Sequence, residues 1–310
     1  MRVTFLGTSA GVPTRARNVS CVALRLPQRG EVWLFDCGEG TQHQLLRSDL
    51  NISQVTRVFI THMHGDHVYG LMGLLATCGM AGGARAVTVY GPRGIGEYVR
   101  EVSRRTQLHT SYPLEVREVA EGPVFEDEEF AVRCAPLKHR LPAFGYRVDE
   151  RDRPGHFDVE RAKAEGIPPG PLYGRLKRGE RVSLPDGRGF DGADFCGPTL
   201  KGRSVVYCTD TTYCRSAVEL ARGADFLIHE ATFADADEGL AARSTHSTAS
   251  MAGRVAREAG ARKLMLTHFS PRYFPGNQTG PEDLLREARA VFADAELAHD
   301  FLSVDVARRE

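Results

Sequence analysis

The side chains best suited to metal chemistry are concentrated in one short run, THMHGDH, at positions 61–67. Imidazole and carboxylate groups are the ligands that suit Zn²⁺ and related divalent ions. The apolar segment Arg57–Ile60 just before the run predicts a strand, and packing such polar groups at its end without a partner would cost too much desolvation energy. Gly65 permits a bend, so that one His pair and the Asp–His pair aim at two neighbouring points. The candidate ligands here are His62, His64, Asp66 and His67. A solvent-exposed, histidine-rich turn is the alternative, which the preceding strand disfavours.

Two metal ions need more ligands than one short run provides, and the sequence offers further candidates. They are His139, Asp210 and His268, each of which comes just after an apolar, strand-like segment. Taken singly, a lone His or Asp is more often a hydrogen-bonded structural residue. Their shared placement fits the rule that ligand sites gather at the carboxyl ends of strands, so we predict one joint metal centre.

Short apolar runs alternate with helical patterns along the chain. Several runs are continuous in hydrophobicity, as strands covered on both faces are. The predicted strands are Arg2–Leu6, Cys21–Leu26, Val32–Phe35, Val58–Thr61, Val87–Tyr90, Phe130–Cys134, Val205–Thr209, Phe226–Ile228 and Leu264–Thr267. The predicted helices are Tyr69–Cys78, Gly94–Arg104, Thr212–Ala221, Ser247–Glu258 and Pro281–Phe292. This mixture predicts an α/β fold in which a sandwich of sheets is flanked by helices, as a single domain over residues 1–310.

Composition excludes little about partners. Lys plus Arg and Asp plus Glu number 40 each, so a surface that binds nucleic acid would have to be local. The seven cysteines are scattered, odd in number and without a CxxC pair, which favours reduced thiols and a cytoplasmic protein over a disulfide framework. No segment approaches the ~20 apolar residues that span a bilayer, and no leader pattern opens the sequence, so we expect no membrane partner.

The HxHxDH run, followed by a later His, an Asp and a last His at strand ends, resembles the metallo-β-lactamase superfamily. The resemblance covers essentially the whole chain and implies an αββα sandwich with two zinc ions; manganese or another divalent ion is the alternative. Carried over by position, the first zinc would be bound by His62, His64 and His139, the second by Asp66, His67 and His268, and Asp210 would bridge them. Lactamases, thioester hydrolases and nucleases share this motif, so it does not decide the substrate.

Three loops narrow the resemblance to the ribonuclease Z family of that superfamily. They are FDCGEGTQ at positions 35–42, HEATF at 229–233 and STHST at 244–248. In the first loop, Asp36 and Glu39 are candidate hydrogen-bond acceptors for zinc-bound histidines. On residue types alone, this loop could equally be an ordinary acidic turn. A lone His such as His246, where a helix begins, is more often a cap or a surface group.

The segment Val148–Thr199 is rich in Gly, Pro and charge, and its apolar residues are isolated, so we predict a poorly structured, flexible insertion. A solvated linker without function is the alternative. Within it, Gly166–Gly179 resembles the tRNA-binding exosite arm of the ribonuclease Z family, with a Gly/Pro-rich tip and the basic stretch GPLYGRLKRG at 170–179. A second stretch, GVPTRARN at 11–18, resembles the family loop that lies near the acceptor end of tRNA, although it could be a plain solvated turn. The tRNA-binding residues implied by the two stretches and their flank are Tyr173, Arg175, Lys177, Arg178 and Arg181, with Arg15, Arg17 and Asn18.

The resemblance implies a zinc-dependent endoribonuclease that cleaves precursor tRNA on the 3′ side of the discriminator nucleotide. The products would be a 3′-hydroxyl on the tRNA and a 5′-phosphate on the trailer. Asp66 would take a proton from the attacking water, and His246, oriented by Glu230, would protonate the leaving oxygen. The chain resembles the short form of the family, which works as a homodimer. The alternatives are another hydrolase on this fold (a phosphodiesterase, or an aryl-sulfate or ester hydrolase) and a non-catalytic RNA-binding subunit, which the intact ligand set disfavours.

Overall fold

Sixteen strands, ten α-helices and four short 3₁₀ helices make up the regular structure of the described residues. The computed structural model describes residues 1–80, 85–274 and 276–309. The strands are β1 Arg2–Gly7, β2 Cys21–Leu26, β3 Glu31–Phe35, β4 Val55–Phe59, β5 Val87–Gly91, β6 Leu114–Glu118, β7 Gly122–Glu126, β8 Phe130–Leu137, β9 Ala143–Glu150, β10 Val182–Ser183, β11 Gly189–Phe190, β12 Ser204–Cys208, β13 Phe226–Glu230, β14 Leu264–Thr267, β15 Ala295–Leu297 and β16 Ser303–Asp305. The helices are α1 Thr41–Arg47, α2 Gly65–Val68, α3 Leu71–Met80, α4 Ile95–Thr106, α5 Val159–Ala164, α6 Pro171–Lys177, α7 Arg215–Leu220, α8 Glu238–Ser244, α9 Ala249–Ala259 and α10 Pro281–Val291.

Two seven-stranded sheets lie face to face. The first has the order β16-β1-β2-β3-β4-β5-β6, and the second has the order β15-β14-β13-β12-β9-β8-β7. Aromatic and aliphatic side chains fill the space between them, among them the fully buried Trp33, Phe59 and Tyr146. Helices α1, α3 and α4 cover the outer face of the first sheet, and α7, α9 and α10 cover that of the second. The predicted αββα sandwich is confirmed.

The strand order explains where the polar loops meet. Strands β3, β4, β5 and β6 pair in parallel, and so do β12, β13, β14 and β15. Parallel neighbours place their carboxyl ends at the same edge of a sheet, and sites in such sheets form at that edge. The loops after β3, β4, β12, β13 and β14 are therefore the ones positioned to build a common site.

Most element predictions were correct in type, and the differences have local causes. The predicted strand Val58–Thr61 is observed at Val55–Phe59, and the predicted helix Thr212–Ala221 begins only at Arg215. In both places the missing residues belong to the loops described below. Strands such as β6, with the sequence LEVRE, were not predicted because exposed charged residues interrupt their apolar pattern.

The insertion differs from its prediction in both bounds and order. Strand β9 continues to Glu150 and β12 begins at Ser204, which pairs with Asp149 across an antiparallel ladder. Residues 151–203 therefore form the insertion, here called the arm, and Val148 lies in the core between the sheets. The prediction of poor structure is wrong, because the arm contains α5, α6, the β10–β11 hairpin and a small core of its own. That core consists of Phe157, Ala162, Ile167, Leu176, Val182, Leu184 and Phe195, which are isolated in sequence but meet in space.

Two further predictions concern the cysteines and membrane-spanning helices. All seven cysteines are free thiols, and five of them are buried. Within the part of the chain that the structure describes, every helix is too short or too polar to cross a bilayer.

Candidate metal centre

All seven predicted ligands come together at the edge of the sandwich where the strands end. Their donor atoms form two groups, in each of which the atoms lie within 4.8 Å of one another. The first group is His62, His64, His139 and Asp210, and the second is Asp66, His67 and His268. A third set, Asp210, His246 and His268, overlaps both and connects them.

Short distances between ring nitrogens define the first group. His62 Nε2 lies 2.9 Å from His64 Nδ1, which in turn lies 3.2 Å from His139 Nε2. Asp210 Oδ2 is 3.5 Å from His62 Nε2 and 3.8 Å from His139 Nε2. Three imidazole nitrogens and a carboxylate oxygen that face one point are the donor set of a tetrahedral cation.

The second group shares Asp210 with the first through its other oxygen. Asp210 Oδ1 lies 3.2 Å from His67 Nε2 and 3.1 Å from His268 Nε2. Asp66 Oδ2 completes the group at 3.3 Å from His67 Nε2 and 3.5 Å from His268 Nε2. One carboxylate thus presents a separate oxygen to each group, which is the geometry of a bridging ligand.

Hydrogen bonds at the far side of the rings fix the tautomers of His67 and His62. His67 Nδ1 donates to Asp36 Oδ2 at 2.8 Å. The Thr61 hydroxyl donates to Asp36 Oδ1 at 2.9 Å and therefore accepts from His62 Nδ1 at 3.0 Å. In both rings the proton is on Nδ1, so Nε2 presents a lone pair to the centre.

The same logic fixes the rings of His268 and His139. The Thr232 hydroxyl donates to Glu230 Oε2 at 2.6 Å and so accepts from His268 Nδ1 at 2.9 Å. His139 Nδ1 donates to the carbonyl oxygen of Thr245 at 3.1 Å. Four Nε2 lone pairs therefore converge on the two groups.

Two buried histidine nitrogens test whether the donor groups fit metal ions. The Nε2 atoms of His67 and His268 are buried and have no hydrogen-bond partner among the described residues. A buried polar atom without a partner is costly, and a lone pair that faces two carboxylates without a shared proton is repelled by them. A divalent cation in each group would satisfy these atoms, so the residues present fit a two-metal centre.

The electrostatics agree with this donor set. Burial lowers the pKa values of His62 and His139, so these rings are neutral, as a metal ligand must be. Despite its burial, the carboxylate of Asp210 has a pKa held well below its ordinary value by His268 and His67. Against the effect of its own burial, His67 has its pKa raised by the carboxylates of Asp210, Asp36 and Asp66. A bound cation would replace the proton that these carboxylates attract.

A histidine–glutamate pair stands at the rim of the two groups. His246 Nδ1 donates to Glu230 Oε1 at 2.9 Å, and His246 Nε2 is 3.9 Å from Asp210 Oδ2. Burial alone would lower the pKa of His246, but Glu230 and Asp210 raise it to about 9. The ring is therefore an imidazolium at neutral pH and carries a proton on the side that faces the centre.

The backbone at the centre is strained. Of the residues that the structure describes, six non-glycine residues have a positive φ, and four of them lie at the site: Asp36, Asp210, Thr245 and His268, with φ between 52° and 60°. Left-handed backbone costs a non-glycine residue about 1–3 kcal/mol, and such outliers cluster at functional sites. The strand ends are bent in this way so that the ligands turn inward.

The structure does not bring every predicted residue to the centre. Asp36 accepts from His67 as predicted, but the prediction for Glu39 is wrong, because its side chain is exposed and has no hydrogen-bond partner among the described residues. The Glu39 carbonyl oxygen accepts from Asn18 Nδ2 at 2.8 Å. Arg17 is half-buried and donates to Thr8 Oγ1 at 2.7 Å and to the Ala298 carbonyl at 2.8 Å, so its guanidinium is not free on the surface. Arg15 is exposed.

The predicted arm residues lie apart from the centre and differ in their surroundings. Arg175 and Arg178 both donate to Glu180, at 3.0 and 2.7 Å. Lys177 and Arg181 are exposed and have no ion-pair partner among the described residues. The hydroxyl of Tyr173 donates to the Ile167 carbonyl at 3.0 Å, and its ring packs on Phe157.

Sequence reasoning missed the groups that orient the ligands. Tyr207 reaches Asp36 Oδ2 from the opposite sheet at 3.0 Å, and the Gly11 amide donates to Asp66 Oδ2 at 2.8 Å. Thr61 and Thr232 are the hydroxyl relays described above. The two threonines lie inside the recognised motifs and could have been found there. Gly11 opens the GVPTRARN stretch, but nothing in that stretch indicates a contact with Asp66, and Tyr207 lies in an ordinary apolar strand.

Comparison with known proteins decides the family. The model of the metallo-β-lactamase superfamily matches residues 14–176, and that of the β-lactamase superfamily domain matches residues 179–269. Ribonuclease Z of Acaryochloris marina is 62% identical over 309 residues, which cover 100% of this chain and 98% of the relative. Ribonuclease Z of Nostoc sp. is 60% identical over 309 residues, covering 100% and 96%. The chain belongs to the ribonuclease Z family.

Solved structures agree with this membership. Human tRNase Z, short form, has a TM-score of 0.68 and 30% identity, with 99% of this chain and 100% of that one covered. A diphosphatase from the PhnP family has a TM-score of 0.63 at 20% identity, covering 99% and 98%, and shares the fold alone. Membership of the family confirms the prediction of an enzyme, a metal-dependent hydrolase.

Proposed function

We propose that the chain is a two-zinc endoribonuclease that cleaves precursor tRNA on the 3′ side of the discriminator nucleotide. The observation that carries the proposal is the pair of donor groups that share Asp210, with a charged His246–Glu230 pair at their rim. Relatives named ribonuclease Z match the whole chain, and the structural neighbour named tRNase Z supports tRNA as the substrate.

In this proposal the two donor groups each hold one zinc ion. His62, His64 and His139 would hold the first, Asp66, His67 and His268 would hold the second, and Asp210 would contribute one oxygen to each group. When bound, the ions supply Lewis-acid chemistry, which polarises the phosphodiester and makes water more acidic. Asp36, Thr61 and Thr232 keep the rings in the tautomers that bind metal.

Asp66 is the proposed base. Its side chain is 12% exposed, against 3% for Asp210, so it is the carboxylate of the centre that water reaches most readily. His67 and His268 hold its pKa well below its ordinary value, despite its burial, so it is ionised throughout the working range. The Gly11 amide, 2.8 Å from Oδ2, fixes the orientation of the carboxylate.

His246 is the proposed acid. Protonation of the leaving 3′-oxygen gives a neutral hydroxyl on the tRNA, and the attacking water leaves a 5′-phosphate on the trailer. A pKa of about 9 keeps the proton in place at neutral pH until an oxygen that gains negative charge takes it. Glu230 orients the ring, and its carboxylate balances the positive charge of the imidazolium.

The arm is the proposed handle for the tRNA body. Exposed Lys177 and Arg181 offer unpaired charge to phosphates, while Arg175 and Arg178 first have to give up Glu180. Arg15, Arg17, Asn18 and Tyr173 remain proposed contacts, with Arg17 and Tyr173 acting from half-buried positions. We also propose a homodimer and a cytoplasmic location, where free thiols stay reduced.

The test is direct. The purified protein, incubated with a precursor tRNA that carries a 3′ trailer, should release tRNA with a 3′-hydroxyl directly after the discriminator and a trailer with a 5′-phosphate. Metal analysis should approach two divalent ions per chain, and chelation should abolish cleavage, with zinc and manganese compared in restoring it. A protein that hydrolyses a nitrophenyl phosphodiester but leaves precursor tRNA intact would be a small-molecule phosphodiesterase instead. Cleavage that persists without metal would contradict the centre.

A further inference from the structure

In the part of the chain that the structure describes, the polar contacts of the arm with the rest of the molecule all come from its two ends. Residues 153–200 make hydrogen bonds and ion pairs only with one another. Their apolar side chains form the separate small core described above. The remaining residues of the arm, 151–152 and 201–203, are here called the root. A rotation at the root would turn the whole arm, so the direction of the arm depends on how firmly the root is held.

One buried carboxylate holds the two strands of chain that form the root. Glu150 is the residue just before the arm, and its side chain is 4% exposed. Arg203, the last residue of the arm, donates from Nε to Glu150 Oε2 at 2.7 Å and from Nη2 to Oε1 at 3.1 Å. Gly202 passes so close that a Cβ on it would lie 1.7 Å from the Glu150 carbonyl oxygen. The chain entering the arm and the chain leaving it are therefore fastened side by side.

A second arginine reaches the root from a different part of the molecule. Residues 306–309, here called the tail, follow strand β16 of the first sheet, and Val306 is buried in the core between the sheets. From this fixed point Arg308 donates from Nη2 to Glu150 Oε1 at 2.7 Å and from Nη1 to the carbonyl oxygen of Lys201 in the root. One guanidinium thus ties the arm, which emerges from the second sheet, to a segment that continues the first sheet.

We propose that Arg308 is a positioning residue that holds the arm in the direction in which a tRNA bound to it reaches the metal centre. The inference rests on the proposed ribonuclease function and adds the part of the molecule that aims the arm. A substrate held at two distant places gains from both only when their geometry matches. Its apparent affinity falls with the fraction of molecules in which the arm is correctly aimed. A planar guanidinium can bond the carboxylate and the carbonyl at once, in a fixed geometry that an ammonium group does not impose.

Substitution of Arg308 tests the proposal, and the next residue offers the matched control. Arg309 donates to Asp225 and to the Gly223 carbonyl, which lie outside the arm. If about a tenth of the Arg308→Ala molecules keep the arm aimed, KM for precursor tRNA should rise about tenfold while kcat changes little. Arg308→Lys should lie between this variant and the wild type, and Arg309→Ala should match the wild type. All three should hydrolyse a nitrophenyl phosphodiester at the wild-type rate, which reports on the metal centre alone.

The direction of the arm can be measured without RNA. Ala164 is exposed on the arm, and Ala293 is exposed on the turn after α10. Spin labels carried at these two positions by non-natural amino acids, which leave the free thiols untouched, give the distribution of distances between arm and body. The distribution should broaden in Arg308→Ala and stay as narrow as in the wild type in Arg309→Ala.

Glu150→Gln separates positioning from direct contact with the RNA. If Arg308 instead bound a phosphate, loss of the Glu150 charge would free its guanidinium and tighten the binding of tRNA. Positioning predicts the opposite, because the same change weakens the bonds of the root, so KM for precursor tRNA should rise and the distance distribution should broaden. Hydrolysis of the nitrophenyl phosphodiester shows that the variant is folded.

The outcomes separate the positioning role from the function. If KM for precursor tRNA is unchanged in Arg308→Ala, or falls in Glu150→Gln, Arg308 does not aim the arm and the ribonuclease stands. A tenfold rise in KM without a broader distribution of distances would also overturn the proposal. If the wild type cuts no precursor tRNA, the proposed function fails and the positioning role with it, whatever the distances show.

Discussion

Glu230 shows how much a single buried carboxylate organises. It accepts the amides of Thr211 and Ser247, the hydroxyl of Thr232 and the ring Nδ1 of His246, at 2.6 to 3.0 Å. Through Thr232 it also fixes His268. The proposed acid and His268, a candidate ligand of the second group, therefore share one anchor, and replacing Glu230 would leave buried N–H groups unpaired. Substitutions of His246 itself are the cleaner probe of the acid.

His246→Ala should retain both metal ions but lower the rate on precursor tRNA by ~10²–10⁴, the usual contribution of a positioned acid. Because the ring is 14% exposed at the rim and belongs to neither of the two groups proposed to hold the zinc ions, its loss should leave the metal content unchanged. A nitrophenyl phosphodiester has a leaving group that scarcely needs a proton, so its hydrolysis should fall far less. Equal losses on the two substrates, with metal content intact, would exclude the leaving-group role.

The proposed role of His246 also predicts an upper pH limit for activity. A pKa of about 9 means that the acid is protonated below pH 9 and loses its proton as the pH rises through that value. The kcat for precursor tRNA should therefore be level from neutrality to about pH 8 and decline above pH 9, and His246→Ala should abolish that limb of the profile. A profile with the same alkaline limb in the variant would assign it to another group.

At the scale of strands and helices, the positions of the candidate ligands could be predicted from the sequence, and the groups that support them could not. Each candidate ligand follows an apolar run, so looking for His and Asp residues just after predicted strands identified His139, Asp210 and His268. The left-handed backbone that turns two of them inward leaves no trace in composition. The contact of Tyr207 with Asp36 joins the two sheets, and sheet-to-sheet pairing depends on packing that local patterns do not encode. The arm was missed as a folded unit for the same reason, because its apolar residues form no periodic face.

Thr245 tests the link between backbone strain and catalysis. It is a β-branched residue at φ 58°, and its hydroxyl and carbonyl oxygens both lie within 3.2 Å of His139 Nδ1. Relief of strain of about 1–3 kcal/mol, less the entropic cost of glycine of roughly 0.5–1 kcal/mol, should let Thr245→Gly raise the free energy of unfolding by about 1 kcal/mol. Turnover should fall, because the peptide that holds His139 becomes freer.

Gln107 offers the matched control for that variant. It has φ 54° at the end of α4, is exposed and lies in no donor group. Gln107→Gly should stabilise the protein to a similar extent, measured by denaturant unfolding, and leave turnover unchanged. If Thr245→Gly gained stability and kept full activity, the strain at the centre would have no catalytic part.

For the molecule as a whole, the arm should act by binding alone. Its two ends meet where Asp149 pairs with Ser204, so a short Gly/Ser linker can replace residues 151–203 without opening the second sheet. The ratio of kcat/KM for precursor tRNA to that for a nitrophenyl phosphodiester should then collapse, mainly through KM. Survival of the wild-type ratio would mean that the arm is a linker of no consequence.

Charge variants of the arm refine this expectation. Lys177→Ala with Arg181→Ala removes exposed cations, whereas Arg175→Ala with Arg178→Ala removes cations that Glu180 already neutralises in part. The first pair should flatten the dependence of tRNA affinity on salt more than the second, because more counterions are released by unpaired charge. The opposite order would show that the Glu180 pairs open when tRNA binds.

Both sheets of the sandwich contribute candidate ligands to the centre, four from the first sheet and three from the second. His62, His64, Asp66 and His67 follow a strand of the first sheet, while His139, Asp210 and His268 follow strands of the second. An ion in either group would therefore act as a cross-link between the sheets, fastened at one edge of their shared aromatic core. Since ligands that bind only the native state stabilise it by mass action, the metal-free protein should melt at a lower temperature. Amide hydrogen exchange should then become faster first at the edge of the sheets that carries the centre, because the two sheets would lose their cross-link there.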